Sequence, residues 1–144
     1  MANDQSNHSY EIVWLVRRLF RALAQRSNEN LVESGISAAD RAVMEFLYPE
    51  KSLSVPAIAA RYQVSRQHVQ VTVNSLLDKG LVVARDNPRH KRSPLITLEP
   101  KGRELFARVL EQDRRELDRL LASVPAADLR TTRRTLNSLL EELS

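Results

Sequence analysis

Residues 54–98 constrain the fold more tightly than any other part of this chain. Ser54 precedes a short apolar-periodic segment in which Pro56 occupies a first turn that has no use for its missing amide, and Ile58, Ala59 and Tyr62 continue the period. Val64-Ser65 then makes a turn. Ser65 heads a second segment in which Val69, Val73, Leu76 and Leu77 fall at i, i+4, i+7 and i+8, a stripe expected to be buried, and Gly80 closes it in the left-handed conformation. Two β-prone runs, Leu81–Arg85 and Pro94–Leu98, flank Asp86-Asn87-Pro88-Arg89-His90-Lys91-Arg92-Ser93 and suit a hairpin across a basic loop. Helix, tight turn, helix and basic hairpin in that order form a helix-turn-helix with a wing, the layout of a module that reads duplex DNA in both grooves.

The flanking segments are helical. Ile12, Leu15, Val16, Leu19, Phe20 and Leu23 recur at helical spacing with Arg17, Arg18, Arg21 and Arg26 on other faces, which predicts an amphipathic helix over 9–27. Ser37 and Asp40 have the spacing of a capping pair, and the helix they open turns Ala42, Val43, Phe46 and Leu47 inward before Pro49 forces Tyr48 into extended geometry. After Pro100, Phe106, Val109, Leu110, Leu117, Leu120 and Leu121 predict a long helix to about residue 122. Pro125 restarts the chain in a last helix where Leu129, Leu136 and Leu143 are seven apart with Leu139 between them, a seam suited to another helix. The fold class is therefore mainly α with a β wing: a single domain over 1–144, with 37–99 as the winged DNA-binding lobe and 9–36 and 100–144 as a helical dimerisation region.

Composition narrows the function classes. The net charge of +4 is mild, but residues 37–99 carry nine basic against six acidic side chains, while 1–36 are balanced and 100–144 carry nine against eight. The excess sits on the winged lobe, and within it Arg85, Arg89, Lys91 and Arg92 oppose only Asp86. A charge run of this length is also what a solvated turn looks like. With no cysteine there is no disulfide or thiol redox chemistry, and His8, His68 and His90 have no metal-ligand spacing. Three glycines leave no phosphate-cradling loop, and no Ser/His/Asp or paired-carboxylate set gathers around one cleft, so neither an enzyme nor a cofactor is expected. The longest apolar runs, such as Ile12–Val16, are too short for a membrane span or a signal-peptide core, which predicts a cytoplasmic protein.

If Val69, Val73, Leu76 and Leu77 point inward, the helical period turns Arg66, Gln67, Gln70, Val71 and Asn74 outward. Arg pairs with the guanine O6/N7 edge, Gln and Asn bridge adenine N6/N7, and a small apolar side chain rests on the thymine methyl. An ordinary solvated face would favour Glu and Lys, and neither occurs from Arg66 to Leu77. Ser54 and Ser65, as caps, place hydroxyls and free amides where backbone phosphates can sit, although a capping serine needs no DNA to justify it. His68 in the first turn of the same helix either donates to DNA or is partly buried beside Val69, Thr72 and Leu76. Arg89, Lys91 and Arg92 are long enough for the wing to reach the minor groove.

These residues resemble the MarR family of winged-helix regulators over nearly the whole chain. The resemblance is carried by Val55-Pro56-Ala57-Ile58-Ala59, by Val64-Ser65-Arg66, by Leu76-Leu77-Asp78-Lys79-Gly80-Leu81-Val82, and by the wing from Arg85-Asp86-Asn87-Pro88 through Arg92 to Leu98 and Gly102. It implies a triangular homodimer made by the first and last two helices, whose winged lobes grip a pseudo-palindromic operator and often release it on binding a small aromatic or anionic ligand. Three positions depart from the family pattern: His90 stands where an Asp often orients the wing-tip arginine, Val71 where many relatives have Arg, and Glu99 where a Thr usually caps the long helix.

The function expected is a homodimeric, sequence-specific transcriptional regulator of double-stranded DNA, a repressor by preference. The alternative is a winged-helix module that binds a protein partner and not an operator. An effector site is expected where the first helix meets the winged lobe, with Trp14 as an aromatic wall and Arg17 and Arg18 as cations for an aromatic carboxylate. Packing of Trp14 in a dimer core is the competing role.

Overall fold

The computed structural model describes residues 2–144, with side chains from Asp4 onward. Among them, the helix expected over 9–27 extends further at both ends, and α1 runs Ala2–Leu31. The order is then a 3-10 turn at Val32–Ser34, α2 Ala38–Leu47, β1 Leu53–Ser54, α3 Val55–Tyr62, α4 Arg66–Asp78, β2 Val82–Arg85, β3 Leu95–Leu98, α5 Pro100–Leu120 and α6 Ala126–Glu142. Tertiary contacts gather in two compact units, Met1–Leu110 and Glu111–Ser144.

Local chemistry sets the element boundaries in the first unit. Gly35 at φ +76° ends the first helical stretch, and Ser37 and Asp40 form a reciprocal capping box: the Asp40 amide donates to Ser37 Oγ (3.0 Å) and the Ser37 amide to Asp40 Oδ2 (3.1 Å). Tyr48, held extended before Pro49, stops α2 as expected. Gln63 takes φ +59° to turn between α3 and α4, and Gly80 at φ +71° closes α4, with the Leu81 amide bonded back to Leu76 O and the Gly80 amide to Leu77 O at 3.0 Å each.

A single apolar core binds this unit together. Val43, Met44 and Leu47 of α2, Ile58 of α3, Val69, Val73 and Leu76 of α4, Ile96 and Leu98 of β3, and Phe106 of α5 are all essentially inaccessible, each side chain contributing about 1.5–3 kcal/mol by burial. The sheet is antiparallel in the order β1-β3-β2, with Val82 opposite Leu98 and Leu53 opposite Ile96. β1 was not foreseen, because two residues are too few to show an alternation and Ser54 also serves as the α3 cap.

One core expectation is corrected. Leu77 is 37% exposed, and Thr72 at 5% takes the expected place in the stripe. At about 100° per residue, Val69, Thr72, Val73 and Leu76 centre on one direction from which Leu77 lies about 90° away. Thr72 is tolerated inside because its hydroxyl donates to His68 O (3.1 Å).

Leu31 at the end of α1 enters the core, and Arg41 bonds Ser27, so the helix's last turns are fastened to the lobe. From Asp4 to Arg26 every residue of α1 is exposed, including Tyr10, Trp14, Leu15, Leu19 and Phe20. The second unit contains the end of α5 and all of α6, with Leu117, Leu120, Leu129, Leu136, Leu139 and Leu143 exposed as well. On α5 the Arg114 and Arg115 guanidiniums hydrogen-bond Glu111 and hold its carboxyl below the usual range.

Candidate nucleic-acid interface

The recognition surface is built by a helix whose inner stripe is locked and whose outer face is bare. With Val69, Val73 and Leu76 fixed in the core, the direction opposite the stripe is occupied by Gln67, Val71 and Asn74, flanked by Gln70. All four are exposed. Arg66, expected on the same face, lies instead on its flank, about 70° from the stripe centre, and is also exposed. Val71 is 63% exposed among polar neighbours. Gln70 Nε2 donates to Asn74 Oδ1 (2.9 Å), one turn along, so the two amides are joined.

The helix N-termini are finished by the expected serines. Ser65 Oγ accepts from the His68 amide at 3.0 Å, and Ser54 Oγ accepts from the Ala57 amide at 3.3 Å. Each hydroxyl keeps its own proton, which can donate to a phosphate oxygen, and Ser65 is exposed while Ser54 is half-buried. His68 is exposed, with its ring 6.4 Å from that of Tyr62.

The wing is organised by a residue whose role the sequence did not reveal. Asn87 Nδ2 donates to Ser93 O across the loop (2.9 Å), and Asn87 Oδ1 accepts from the Arg89 amide (3.1 Å). Two successive turns, His90 amide to Asn87 O and Ser93 amide to His90 O, complete the tip. Asn87 therefore braces the loop, and the signal for it was present in Asn-Pro, a turn-initiating pair. Arg89, His90, Lys91 and Arg92 are all exposed, and among the described residues Arg89, Lys91 and Arg92 pair with no carboxylate.

Further residues position the recognition helix without touching its outer face. Asp40, 2% exposed at the start of α2, bonds Lys79 Nζ at 2.6 Å, tying the C-terminal end of α4 to the capping box. Lys101 Nζ donates to Lys79 O at 3.1 Å, neutralising a carbonyl at the negative end of α4. Gly102 lets α5 meet the Leu81 carbonyl, which also accepts from the Glu99 amide at 2.9 Å. Glu99 thus anchors the foot of α5 through its backbone.

At the candidate effector site, Trp14 is 53% exposed with the Arg18 guanidinium 6.0 Å from its ring centroid, and Arg17 and Arg18 are exposed. The pair lies on the open length of α1 and is not enclosed by the winged lobe. Among the described residues no group of three or more metal-ligating side chains gathers, and no helix is long and apolar enough to cross a membrane.

Comparison with known proteins agrees with this geometry. The family model for the MarR family matches residues 34–93. An uncharacterized protein of Mycobacterium tuberculosis is 33% identical over 137 residues, covering 94% of this chain and 96% of its own. An uncharacterized HTH-type transcriptional regulator of Bacillus subtilis is 26% identical over 92 residues, covering 64% of this chain and 60% of its own. Among solved structures, a MarR family protein from Bacillus stearothermophilus superposes with a TM-score of 0.86 at 22% identity over 96% of each chain. Staphylococcus aureus MarR in complex with salicylate and kanamycin superposes at 0.85 with 18% identity, over 94% of this chain and 91% of that one.

Proposed function

Because the chain belongs to the MarR family of transcription regulators, we propose that it is a homodimeric, sequence-specific repressor that lays α4 in the major groove of duplex DNA and its wing in the adjacent minor groove. The observation that carries this reading is the outer face of α4. It is free of acidic side chains from Arg66 to Leu77, leaves an apolar Val71 63% exposed, and is followed in the chain by a tip whose Arg89, Lys91 and Arg92 pair with no carboxylate among the described residues. Ser54 and Ser65 supply phosphate contacts that fix register. Arg66, Gln67, Gln70, Val71 and Asn74 meet base edges, His68 meets the backbone, and Arg89, Lys91 and Arg92 serve the minor groove.

Dimerisation follows from uncovered apolar surface. The exposed apolar side chains of α1 and, separately, the leucine seam of α6 call for cover, and a two-fold partner offers the same surfaces in return. Two identical lobes then match a pseudo-palindromic operator. An aromatic carboxylate is the proposed effector, stacked on Trp14 and paired with Arg17 or Arg18. The salicylate complex of the structurally similar S. aureus protein supports this class of ligand. Release requires that the ligand bind the DNA-incompetent form more tightly.

An electrophoretic mobility shift with the DNA upstream of the protein's own coding region tests the assignment. A discrete complex that resists competition by scrambled duplex is expected. Retardation no stronger than with scrambled DNA at micromolar protein would favour the alternative, a winged helix that binds protein. Adding salicylate at millimolar concentration is expected to quench Trp14 fluorescence and to dissolve the complex, and an unchanged signal in both would remove the effector from the proposal.

A further inference from the structure

We infer that α4 selects an A·T-containing step, with Gln70 as the adenine reader, Asn74 as the residue that positions Gln70, and Val71 as the seat for a thymine methyl. This rests on the proposed DNA-reading role of α4 and specifies which base pairs it takes.

The Gln70–Asn74 hydrogen bond determines what each amide can still offer. Gln70 uses one of its two Nε2–H groups on Asn74 Oδ1 and keeps the other, together with Oε1. That remaining donor and acceptor match adenine: Nε2–H donates to N7, and the adenine N6–H donates to Oε1. Asn74 spends one of the two Oδ1 lone pairs on Gln70, and that bond fixes its amide in the place from which it holds Gln70. An unbraced Gln spreads over many rotamers, whereas this one is held before DNA arrives.

Val71 lies beside the amide pair in the centre of the outer face, 63% exposed. No acceptor or donor on it can read a base, and a β-branched apolar side chain at this place is complementary to the one apolar group of the major groove, the thymine C5-methyl. A helix presenting an adenine reader and a methyl seat on neighbouring positions favours A·T-containing half-sites over G·C runs.

The test begins with selection of duplexes from a random library by the full-length protein, followed by base analogues in the selected sequence. Replacing the contacted thymine by uracil removes only the methyl and is expected to weaken wild-type binding about fourfold, the equivalent of roughly 0.8 kcal/mol for one buried carbon. The same replacement is expected to cost Val71→Ala less than the wild type, since alanine keeps only one of the methyl contacts. Replacing the contacted adenine by 7-deazaadenine, which removes one of the two hydrogen bonds of the pair, is expected to weaken the wild type by roughly fivefold and to leave Gln70→Ala unaffected. Asn74→Ala shrinks the 7-deazaadenine penalty, and Asn74→Asp, which keeps the oxygen acceptor, restores the penalty even though its charge lowers affinity overall. These positions are exposed, so the variants fold. Failure of any sequence to be enriched overturns the DNA-reading role itself. An enriched sequence whose analogues cost nothing, or cost the variants as much as the wild type, overturns only the assignment of Gln70, Asn74 and Val71.

Discussion

Gly102→Ala tests the junction that sets the wing's foot against α5. In most helices this exchange stabilises by about 0.8–1.0 kcal/mol, because alanine loses less conformational entropy. Here a Cβ would stand 2.1 Å from Leu81 O and 3.1 Å from Leu81 C, both backbone atoms. Relief requires α5 to withdraw from the first residue after Gly80 by roughly 1.4 Å or more, the shortfall from an ordinary contact distance. Overpacking against atoms that cannot rotate away costs about 1–3 kcal/mol. Withdrawal also stretches the 2.9 Å bond from the Glu99 amide to Leu81 O, with about 0.5–1.5 kcal/mol at stake. The clash exceeds the propensity gain, and the net expectation is a loss of about 1–3 kcal/mol, read as a lower denaturation midpoint in urea at unchanged slope. Gly102→Ser should behave alike. A Gly102→Ala protein at least as stable as wild type would show that helix propensity decides this site and that α5 does not meet the Leu81 carbonyl.

Other expectations follow from the remaining contacts. Lys79→Met leaves the buried Asp40 carboxylate unpaired and should cost about 3–5 kcal/mol, more than Asp40→Asn at about 1.5–3 kcal/mol, since Lys79 can turn to water; equal losses in thermal unfolding would contradict the coupling. Arg92→Ala should weaken DNA binding and reduce the slope of log affinity against log salt by about 1, and Asn87→Ala should weaken binding by loosening the tip while leaving the wing's charge unchanged. His90→Asp should tighten binding if a carboxylate there aims Arg92, whereas weaker binding would identify His90 as a contact. Full-length protein should sediment as a dimer at micromolar concentration, and paired charges at Leu136 and Leu139 should abolish the dimer; a soluble monomeric wild type would remove the two-fold architecture.

How much was legible before any coordinates depended on whether a signal was local. The caps at Ser37, Ser54 and Ser65, the closing Gly80 and the hairpin each rest on a few neighbouring residues, and the structure places them as expected. The stripe of α4 was read one residue off at its end, because an i+8 position drifts toward the edge of a 3.6-residue helix; Thr72, polar by name, is buried through its bond to His68 O. Asp40 was recognised as a cap but not as a buried partner of Lys79, because 39 residues separate them and no local pattern encodes that meeting. The length of α1 was underestimated because its first turns are polar and carry no period. The family resemblance, and not the spacing, assigned 9–36 to a dimerisation region, since amphipathic spacing states that a face wants cover and not which molecule provides it.

The most direct test of the central claim is the ratio of affinities for the selected duplex and its scrambled counterpart, measured by fluorescence anisotropy at one physiological salt concentration. Wild-type protein and a Gln67→Ala/Gln70→Ala/Val71→Ala variant are compared. Wild type is expected to favour the selected duplex by roughly a thousandfold or more, as specific regulators do. The triple variant should lose most of that ratio while binding scrambled DNA as the wild type does, because the wing and the serine caps remain. An unchanged ratio in the variant would contradict the account, since α4 would then not be the element that reads the sequence.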